Sequence, residues 1–176
     1  MYPDPHSVTR VTSIGAGPIG AGWTAHFLAR GYDVTAYLHD VAETDAFMSI
    51  LNTAWISLTD LGLADGASRD RLRIVTDLNE ALDGAEFVQE SGPERLDVKQ
   101  ALYAKMGTIL PPSVVIGSST SGLMMSDIQA ECPTPERTVI AHPFNPPYLL
   151  PLVEIVGGKK TAPEAVAWAG DFYKIA

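Results

Sequence analysis

The feature that most constrains the fold is a glycine-rich turn near the start of the chain. Residues 15–20 read Gly-Ala-Gly-Pro-Ile-Gly and match the pattern G-x-G-x-x-G. The apolar run at residues 8–14 predicts a strand before the turn, and Ile19, Trp23 and Phe27 follow it at helical spacing. A strand, a glycine turn and a helix in this order predict the first unit of a parallel α/β sheet.

Each residue type in this turn suits the binding of a dinucleotide. Gly15 permits the tight turn, Gly17 lets a pyrophosphate approach the backbone, and Gly20 lets the helix pack on the strand. Pro18 suits the first helical turn, and Ile19 follows it. We therefore expect these five residues to contact a dinucleotide, the alternative being an ordinary glycine-rich turn.

Predicted strands and helices alternate along the rest of the chain. Further strands are predicted at residues 34–38, 73–75, 86–89, 114–116, 138–141 and 152–156, and the clearest helices at 43–61, 96–106 and 163–173. This alternation predicts an α/β fold with a Rossmann-like, doubly wound and mostly parallel sheet, in one domain over residues 1–176.

Charge and composition exclude several function classes. The chain has 12 Lys and Arg against 21 Asp and Glu, a net charge of -9, and so lacks the cations that bind nucleic acids or anionic membranes. Cys132 is the single cysteine, which excludes an intrachain disulfide and a cysteine-built metal site, and no histidines have metal-ligand spacing. Without a signal peptide or a long apolar run, we expect a cytoplasmic protein with no metal.

The residues after the second predicted strand should contact the adenosine ribose. A carboxylate usually ends that strand, about 20 residues after the glycine motif, but Leu38 stands there. Asp40 could reach the ribose from the loop, or it could cap the next helix while His39 makes the sugar contact. No Arg or Lys occurs between Arg30 and Arg69 to hold a 2′-phosphate, which favours NAD over NADP.

A histidine and a glutamate late in the chain are candidates for acid–base chemistry. His142 follows a predicted buried strand, and Glu154 lies in the next apolar strand, where a carboxylate needs a partner. Oxidation of an alcohol needs a base for the hydroxyl proton, and a carboxylate can orient an imidazole and stabilise its cation. The simpler alternatives are a hydrogen-bonded structural histidine and a glutamate on an edge strand.

Two further segments follow predicted strands at the end of the sheet where ligands bind. Residues 117–122 read Gly-Ser-Ser-Thr-Ser-Gly, in which a hydroxyl could bind a substrate oxygen or the nicotinamide, or the segment could be a helix-capping turn. Glu94 and Lys99 begin the helix after the fourth strand, where they could face the cofactor or form a surface pair.

Four segments together form a more specific pattern than the glycine motif alone. They are residues 15–20, 89–94 (Gln-Glu-Ser-Gly-Pro-Glu), 118–122 and 141–146 (Ala-His-Pro-Phe-Asn-Pro). This combination resembles the NAD-binding domain of the 3-hydroxyacyl-CoA dehydrogenase family over essentially the whole chain. Within that family, the chain looks most like the L-carnitine dehydrogenase branch, on residues 55, 61–64, 66–68, 71–73 and 148–154.

The resemblance implies a role for each candidate residue. His142 would be the catalytic base, Glu154 its partner, and Ser121 the hydroxyl that binds the substrate oxygen and the cofactor. The residues implied on the nicotinamide side are Glu94, Lys99 and Asn145.

Members of that family continue into a helical C-terminal domain, which closes the substrate cleft and makes most of the dimer interface. The resemblance therefore implies that residues 1–176 are an N-terminal portion that ends before the last sheet strands. We expect little turnover from this portion alone, because the missing half of the cleft would orient the substrate. We also expect the full-length protein to be a homodimer.

The charges of the second predicted helix bear on the substrate. An acyl-CoA needs cations for its phosphates, but residues 41–66 contain no Lys or Arg, only Glu43, Asp45, Asp60 and Asp65 as charged residues. A small hydroxy acid with a cationic head group, such as carnitine, is therefore favoured over an acyl-CoA. The alternatives are a dehydrogenase of 3-hydroxyacyl-CoA or of another 3-hydroxy acid, and a non-catalytic dinucleotide-binding module.

Overall fold

The computed structural model describes all residues from 1 to 176. Its strands are β1 (Arg10–Ile14), β2 (Asp33–Tyr37), β3 (Leu72–Val75), β4 (Phe87–Glu90), β5 (Val115–Ser118), β6 (Thr138–Pro143) and β7 (Val153–Gly157). Its α-helices are α1 (Pro18–Ala29), α2 (Thr44–Leu61), α3 (Leu78–Leu82), α4 (Leu96–Ile109), α5 (Met125–Ile128) and α6 (Pro163–Ile175). None of these helices has both the length and the apolar character that a membrane span requires.

The strands form one seven-stranded sheet in the order β3-β2-β1-β4-β5-β6-β7. Strands β1 to β6 pair in parallel, and β7 pairs antiparallel with β6. The chain reverses direction across the sheet between β3 and β4, as in doubly wound folds, so the predicted Rossmann-like, mostly parallel sheet is confirmed. The ends of β1, β4, β5 and β6 lie together, and we call this region the carboxyl end of the sheet.

Two apolar cores cover the two faces of the sheet. The first joins α1, α2 and α6 to one face through residues such as Phe27, Phe47 and Phe172. The second joins α3, α4 and α5 to the other face through residues such as Tyr103 and Met106. Helix α1 is buried nearly all round, because it packs on both the sheet and α2.

The predicted elements differ from the observed ones mainly at their ends. Strand β5 continues to Ser118, two residues beyond its predicted end, so the serine-rich segment begins inside the strand. The short helices α3 and α5 were not predicted, because five and four residues are too few to show a helical period. Strand β7 forms one border of the sheet and so leaves one side of its backbone unpaired.

Candidate active site

The glycine turn between β1 and α1 is shaped by close contacts at two of its glycines. Gly15 has φ +116°, a conformation that favours glycine, and a Cβ there would overlap the carbonyl oxygen of Ser91. A Cβ at Gly20 would overlap the carbonyl oxygen of Gly15. By contrast, a Cβ at Gly17 would meet no protein atom within 4 Å. The turn is therefore tight against the protein and open on the side of Gly17.

This open side fits the pyrophosphate of a dinucleotide. Gly17 is the N-cap residue of α1, and no side chain caps the helix. Pro18 and Ile19 form its first turn, where backbone N–H groups lack helical acceptors and the helix dipole is positive. An anion that approaches the bare Cα of Gly17 would meet these groups.

At the predicted adenosine end, the structure shows a helix cap. Leu38 is fully buried in the first core. Asp40 caps the 3₁₀ turn Val41–Glu43, because its Oδ1 accepts a hydrogen bond from the Ala42 amide at 2.9 Å. Glu43 reaches back to accept from the His39 amide at 3.0 Å. The capping alternative for Asp40 is thus present, and its contact with ribose stays a prediction.

His142 and Glu154 meet across two neighbouring strands. They are direct partners in the β6–β7 register, and His142 Nδ1 lies 2.9 Å from Glu154 Oε2. The His142 side chain is 26% exposed and that of Glu154 59% exposed. The edge-strand alternative for Glu154 is therefore present, because β7 borders the sheet. The carboxylate still meets the imidazole, and Nε2 of His142 has no hydrogen-bond partner within the chain.

Glu94 holds the segment that carries Ser121. Its Oε1 accepts hydrogen bonds from the Thr120 hydroxyl and from the amides of Ser121 and Gly122, at 3.2 and 3.1 Å. Burial raises the pKa of Glu94, but the hydrogen bonds from Thr120 and Gly122 lower it more, so the net pKa lies below its usual value. The Ser121 hydroxyl makes no hydrogen bond within the chain, and the residue is exposed at the carboxyl end of the sheet.

Lys99 lies inside the protein, where its ammonium pairs with a buried carboxylate. Its side chain is 1% exposed, and Nζ lies 2.7 Å from Oε1 of Glu90, which is 0% exposed. Nζ also lies 3.9 Å from Oε2 of Glu94. The alternative that Glu94 and Lys99 form a pair on the surface is therefore wrong, because Lys99 is buried, although its ammonium lies near Glu94.

Sequence reasoning missed a second polar group, on the opposite face of β4. Tyr173 of α6 donates its hydroxyl to the side-chain oxygen of Gln89. Gln89 in turn donates to Ser119 Oγ at 2.9 Å, and that oxygen lies 2.8 Å from Ser91 Oγ. The signal was available, because Gln89 and Glu90 are polar residues that end an otherwise apolar strand.

The segment after β6 joins the histidine to helix α1. Asn145 is exposed there, and its side chain makes no hydrogen bond within the chain. The Phe144 ring centroid lies 5.7 Å from that of His142. Pro147 packs so closely on α1 that a Cβ at Gly22 would lie 2.8 Å from its Cγ atom. This contact fixes the His142 segment relative to the glycine turn.

Comparisons with known proteins identify the family of the chain. The family described as "3-hydroxyacyl-CoA dehydrogenase, NAD binding domain" matches residues 10–175. The chain is 54% identical over 172 residues to an L-carnitine dehydrogenase of Streptomyces coelicolor, covering 98% of this chain and 54% of that protein. It is 48% identical over 161 residues to an L-carnitine dehydrogenase of Pseudomonas putida, covering 92% of this chain and 50% of that protein.

Solved structures of related enzymes have the same fold. The structure of 3-hydroxybutyryl-CoA dehydrogenase from Escherichia coli superposes with a TM-score of 0.87 at 32% identity, covering 96% of this chain and 36% of that chain. An NAD+-dependent 5-formyl-3-hydroxy-2-methylpyridine 4-carboxylic acid 5-dehydrogenase gives the same TM-score of 0.87 at 32% identity, covering 96% and 55%. The chain spans about half the length of the curated relatives that it matches.

Proposed function

Because this chain belongs to the family of 3-hydroxyacyl-CoA dehydrogenase NAD-binding domains, we propose that it takes part in NAD-dependent oxidation of the 3-hydroxyl group of L-carnitine to 3-dehydrocarnitine. The observation that carries the proposal is the contact of His142 with Glu154, at the same end of the sheet as an open glycine turn. The names of the similar L-carnitine dehydrogenases support the substrate. In its coarser form, the proposal is a dehydrogenase that acts on a small hydroxy acid.

The cofactor is assigned to the carboxyl end of the sheet. NAD, when bound, supplies the acceptor for the hydride that leaves the substrate carbon. Gly17 with the first turn of α1 would hold its pyrophosphate, since Gly17 leaves room for an anion beside free N–H groups, while Gly15 and Gly20 keep the turn tight. Asp40 is assigned to the ribose. The residues assigned to the nicotinamide side are Glu94, Lys99 and Asn145.

His142 acts as the base in this proposal. Glu154 accepts a hydrogen bond from the protonated Nδ1, which leaves the lone pair of Nε2 free to remove the hydroxyl proton of the substrate. The carboxylate then stabilises the imidazolium that forms. Ser121 donates its hydroxyl to the substrate oxygen, and Glu94 holds the backbone of that segment in place.

The charges of α2 support a cationic substrate. Asp45 in the first turn of α2 is exposed, and no cation between residues 41 and 66 would bind the phosphates of coenzyme A. This carboxylate repels an acyl-CoA and tolerates a trimethylammonium group. The likeness to 3-hydroxybutyryl-CoA dehydrogenase favours an acyl-CoA substrate as the second candidate.

The cellular setting of the enzyme is also proposed. A cytoplasmic location is consistent with Cys132, a single buried cysteine that forms no disulfide within the chain. A homodimer of the whole protein rests on the family resemblance alone.

The test is the appearance of NADH with three substrates, L-carnitine, D-carnitine and L-3-hydroxybutyryl-CoA. It uses both this chain and the longest protein that its gene encodes. We expect turnover of L-carnitine by the longer protein and little from residues 1–176 alone. Turnover of the CoA ester only would replace the proposed substrate, and no turnover of any hydroxy acid would favour a non-catalytic dinucleotide-binding module.

A further inference from the structure

Glu90 is a buried carboxylate that the proposed chemistry does not use. It ends β4, where its register partners are Ile14 of β1 and Ser118 of β5. Its side chain is 0% exposed, and it faces the second core together with Lys99 of α4. Since burial of a charged pair costs several kcal/mol of desolvation, an apolar pair would stabilise this place at least as well. Stability alone therefore does not explain why a charged pair, Glu90 and Lys99, is buried here.

Both oxygens of this carboxylate accept hydrogen bonds from different segments. Oε1 accepts from Lys99 Nζ at 2.7 Å and from the Gly92 amide at 2.6 Å. Oε2 accepts from the Ser118 hydroxyl at 2.6 Å, and the backbone oxygen of Glu90 accepts from the Ser119 amide at 2.7 Å. One residue thus holds the segments after β4 and after β5 together.

These two segments surround the places assigned to cofactor and substrate. The Ser91 amide donates to the backbone oxygen of Ile14 at 2.7 Å, and the Ser91 carbonyl fills the space beside Gly15. On the other side, Lys99 lies 3.9 Å from Glu94, whose other oxygen holds the Ser121 amide. A shift of Glu90 would therefore reach both the glycine turn and the Ser121 hydroxyl.

Tyr103 is a further buried polar neighbour of Glu90. Its hydroxyl is buried beside Glu90, and burial and the Glu90 charge raise the pKa of Tyr103 well above its usual value. The charged residue in contact with the Glu90 carboxylate is Lys99, and Lys99 in turn lies near Glu94.

On this basis we propose that Glu90 is a positioning residue for the dehydrogenation: its carboxylate sets the place of Lys99 and, through Lys99 and Ser118, of the Glu94–Ser121 contact. This inference rests on the proposed function. It assigns Glu90 no contact with substrate or cofactor.

The test is a double-mutant cycle of Glu90→Gln and Lys99→Met in the longest protein that the gene encodes. We measure kcat with L-carnitine, the Kd for NAD and the urea midpoint for each variant. If Glu90 acts through Lys99, Glu90→Gln lowers kcat by up to about 100-fold in the wild-type background and by less than about 3-fold when Lys99 is already Met. Equal losses in both backgrounds, or an unchanged kcat, would overturn the proposal.

Two further variants keep the test decisive. Ser118→Ala removes one donor to Glu90 and keeps both charges, so it tests the proposal even if Glu90→Gln does not fold. We expect kcat to fall about 5-fold, which is a loss of about 1 kcal/mol of transition-state stabilisation. An unchanged kcat would contradict the proposal. Glu80→Gln, in an exposed pair with Arg73, is the control and should change nothing. If the wild type turns over no substrate, the proposed function fails and the positioning role fails with it. If the wild type is active and Glu90→Gln has the same kcat, the positioning role alone is overturned.

Discussion

The two halves of the sheet differ in how their parts of the site are built from the sequence. In the first half, from β1 to β3, the glycine turn is a single contiguous segment, and its pattern of glycines is visible in the sequence even though Ser91 packs on Gly15 from another strand. In the second half, from β4 to β7, each important contact joins distant residues: Glu94 with Ser121, 27 positions apart, and His142 with Glu154, 12 apart. A backbone feature can therefore be recognised from local sequence, whereas a side-chain site depends on tertiary structure.

The largest effect on stability is expected at Arg137, in the second half. This fully buried side chain donates to backbone carbonyls near the end of α4, among them Leu110 at 3.2 Å and Met106 at 3.3 Å. Arg137→Met removes the donor to Leu110 and one of two donors to Met106, whose oxygen also accepts from the Leu110 amide, and it leaves the other carbonyls around the guanidinium short of donors. We expect a loss of about 3–5 kcal/mol in the free energy of unfolding. Urea denaturation measures it, with Arg95→Met in the exposed pair with Asp97 as a nearly silent control. A loss below about 1 kcal/mol would contradict the dependence of this half on buried polar contacts.

A smaller loss is expected at the hydroxyl of Tyr173. Tyr173→Phe leaves the buried side-chain oxygen of Gln89 without its donor, which should cost about 1–3 kcal/mol in unfolding free energy. Tyr37→Phe is the matched control, because the Tyr37 hydroxyl makes no hydrogen bond within the chain and its loss should change stability by less than about 0.5 kcal/mol. Equal effects of the two substitutions would show that the Gln89 group does not stabilise the fold.

In the first half, the expected effect is on NAD binding and not on stability. Gly17→Ala introduces a methyl group that meets no protein atom but occupies the approach of the pyrophosphate, so the Kd for NAD should rise about 10-fold or more, which is about 1.4 kcal/mol. Gly170→Ala in α6 also has free space and should leave the Kd unchanged. Isothermal titration measures both, and an unchanged Kd for Gly17→Ala would place the pyrophosphate elsewhere.

The smallest effect is expected from the titration of Glu94. Its pKa in the folded protein lies below the usual value, so its contribution to stability is complete above about pH 4.5 and is lost as the pH falls through the folded pKa. Because the side chain is 46% exposed, we expect less than about 1 kcal/mol. The urea midpoint of the wild type should fall between pH 7 and pH 4 as Glu94 becomes protonated, and Glu94→Gln should lack the part of the fall that comes from Glu94. A urea midpoint that falls more steeply with decreasing pH in Glu94→Gln than in the wild type would contradict this prediction.

The fold could be predicted from the sequence almost completely, because apolar periodicity and the glycine turn act locally. The pairing of His142 with Glu154 was a reasonable expectation, since both lie in consecutive strands. The sequence offered an edge strand for Glu154 but did not select it, because the neighbours of Glu154 in β7 are apolar and do not show that the strand borders the sheet. The burial of Lys99 could not be predicted from the sequence, since it depends on how α4 packs against Glu90.

The central claim is that the glycine turn binds NAD while His142 performs the proton transfer. Its most direct test measures both the Kd for NAD and the kcat with L-carnitine for the wild type, Gly17→Ala and His142→Gln in the longest protein that the gene encodes. We predict that His142→Gln leaves the Kd unchanged and lowers kcat by about 10²–10⁴-fold, whereas Gly17→Ala raises the Kd and leaves kcat at saturating NAD within about 3-fold of the wild type, a change below about 0.7 kcal/mol. Wild-type turnover by His142→Gln would contradict the claim.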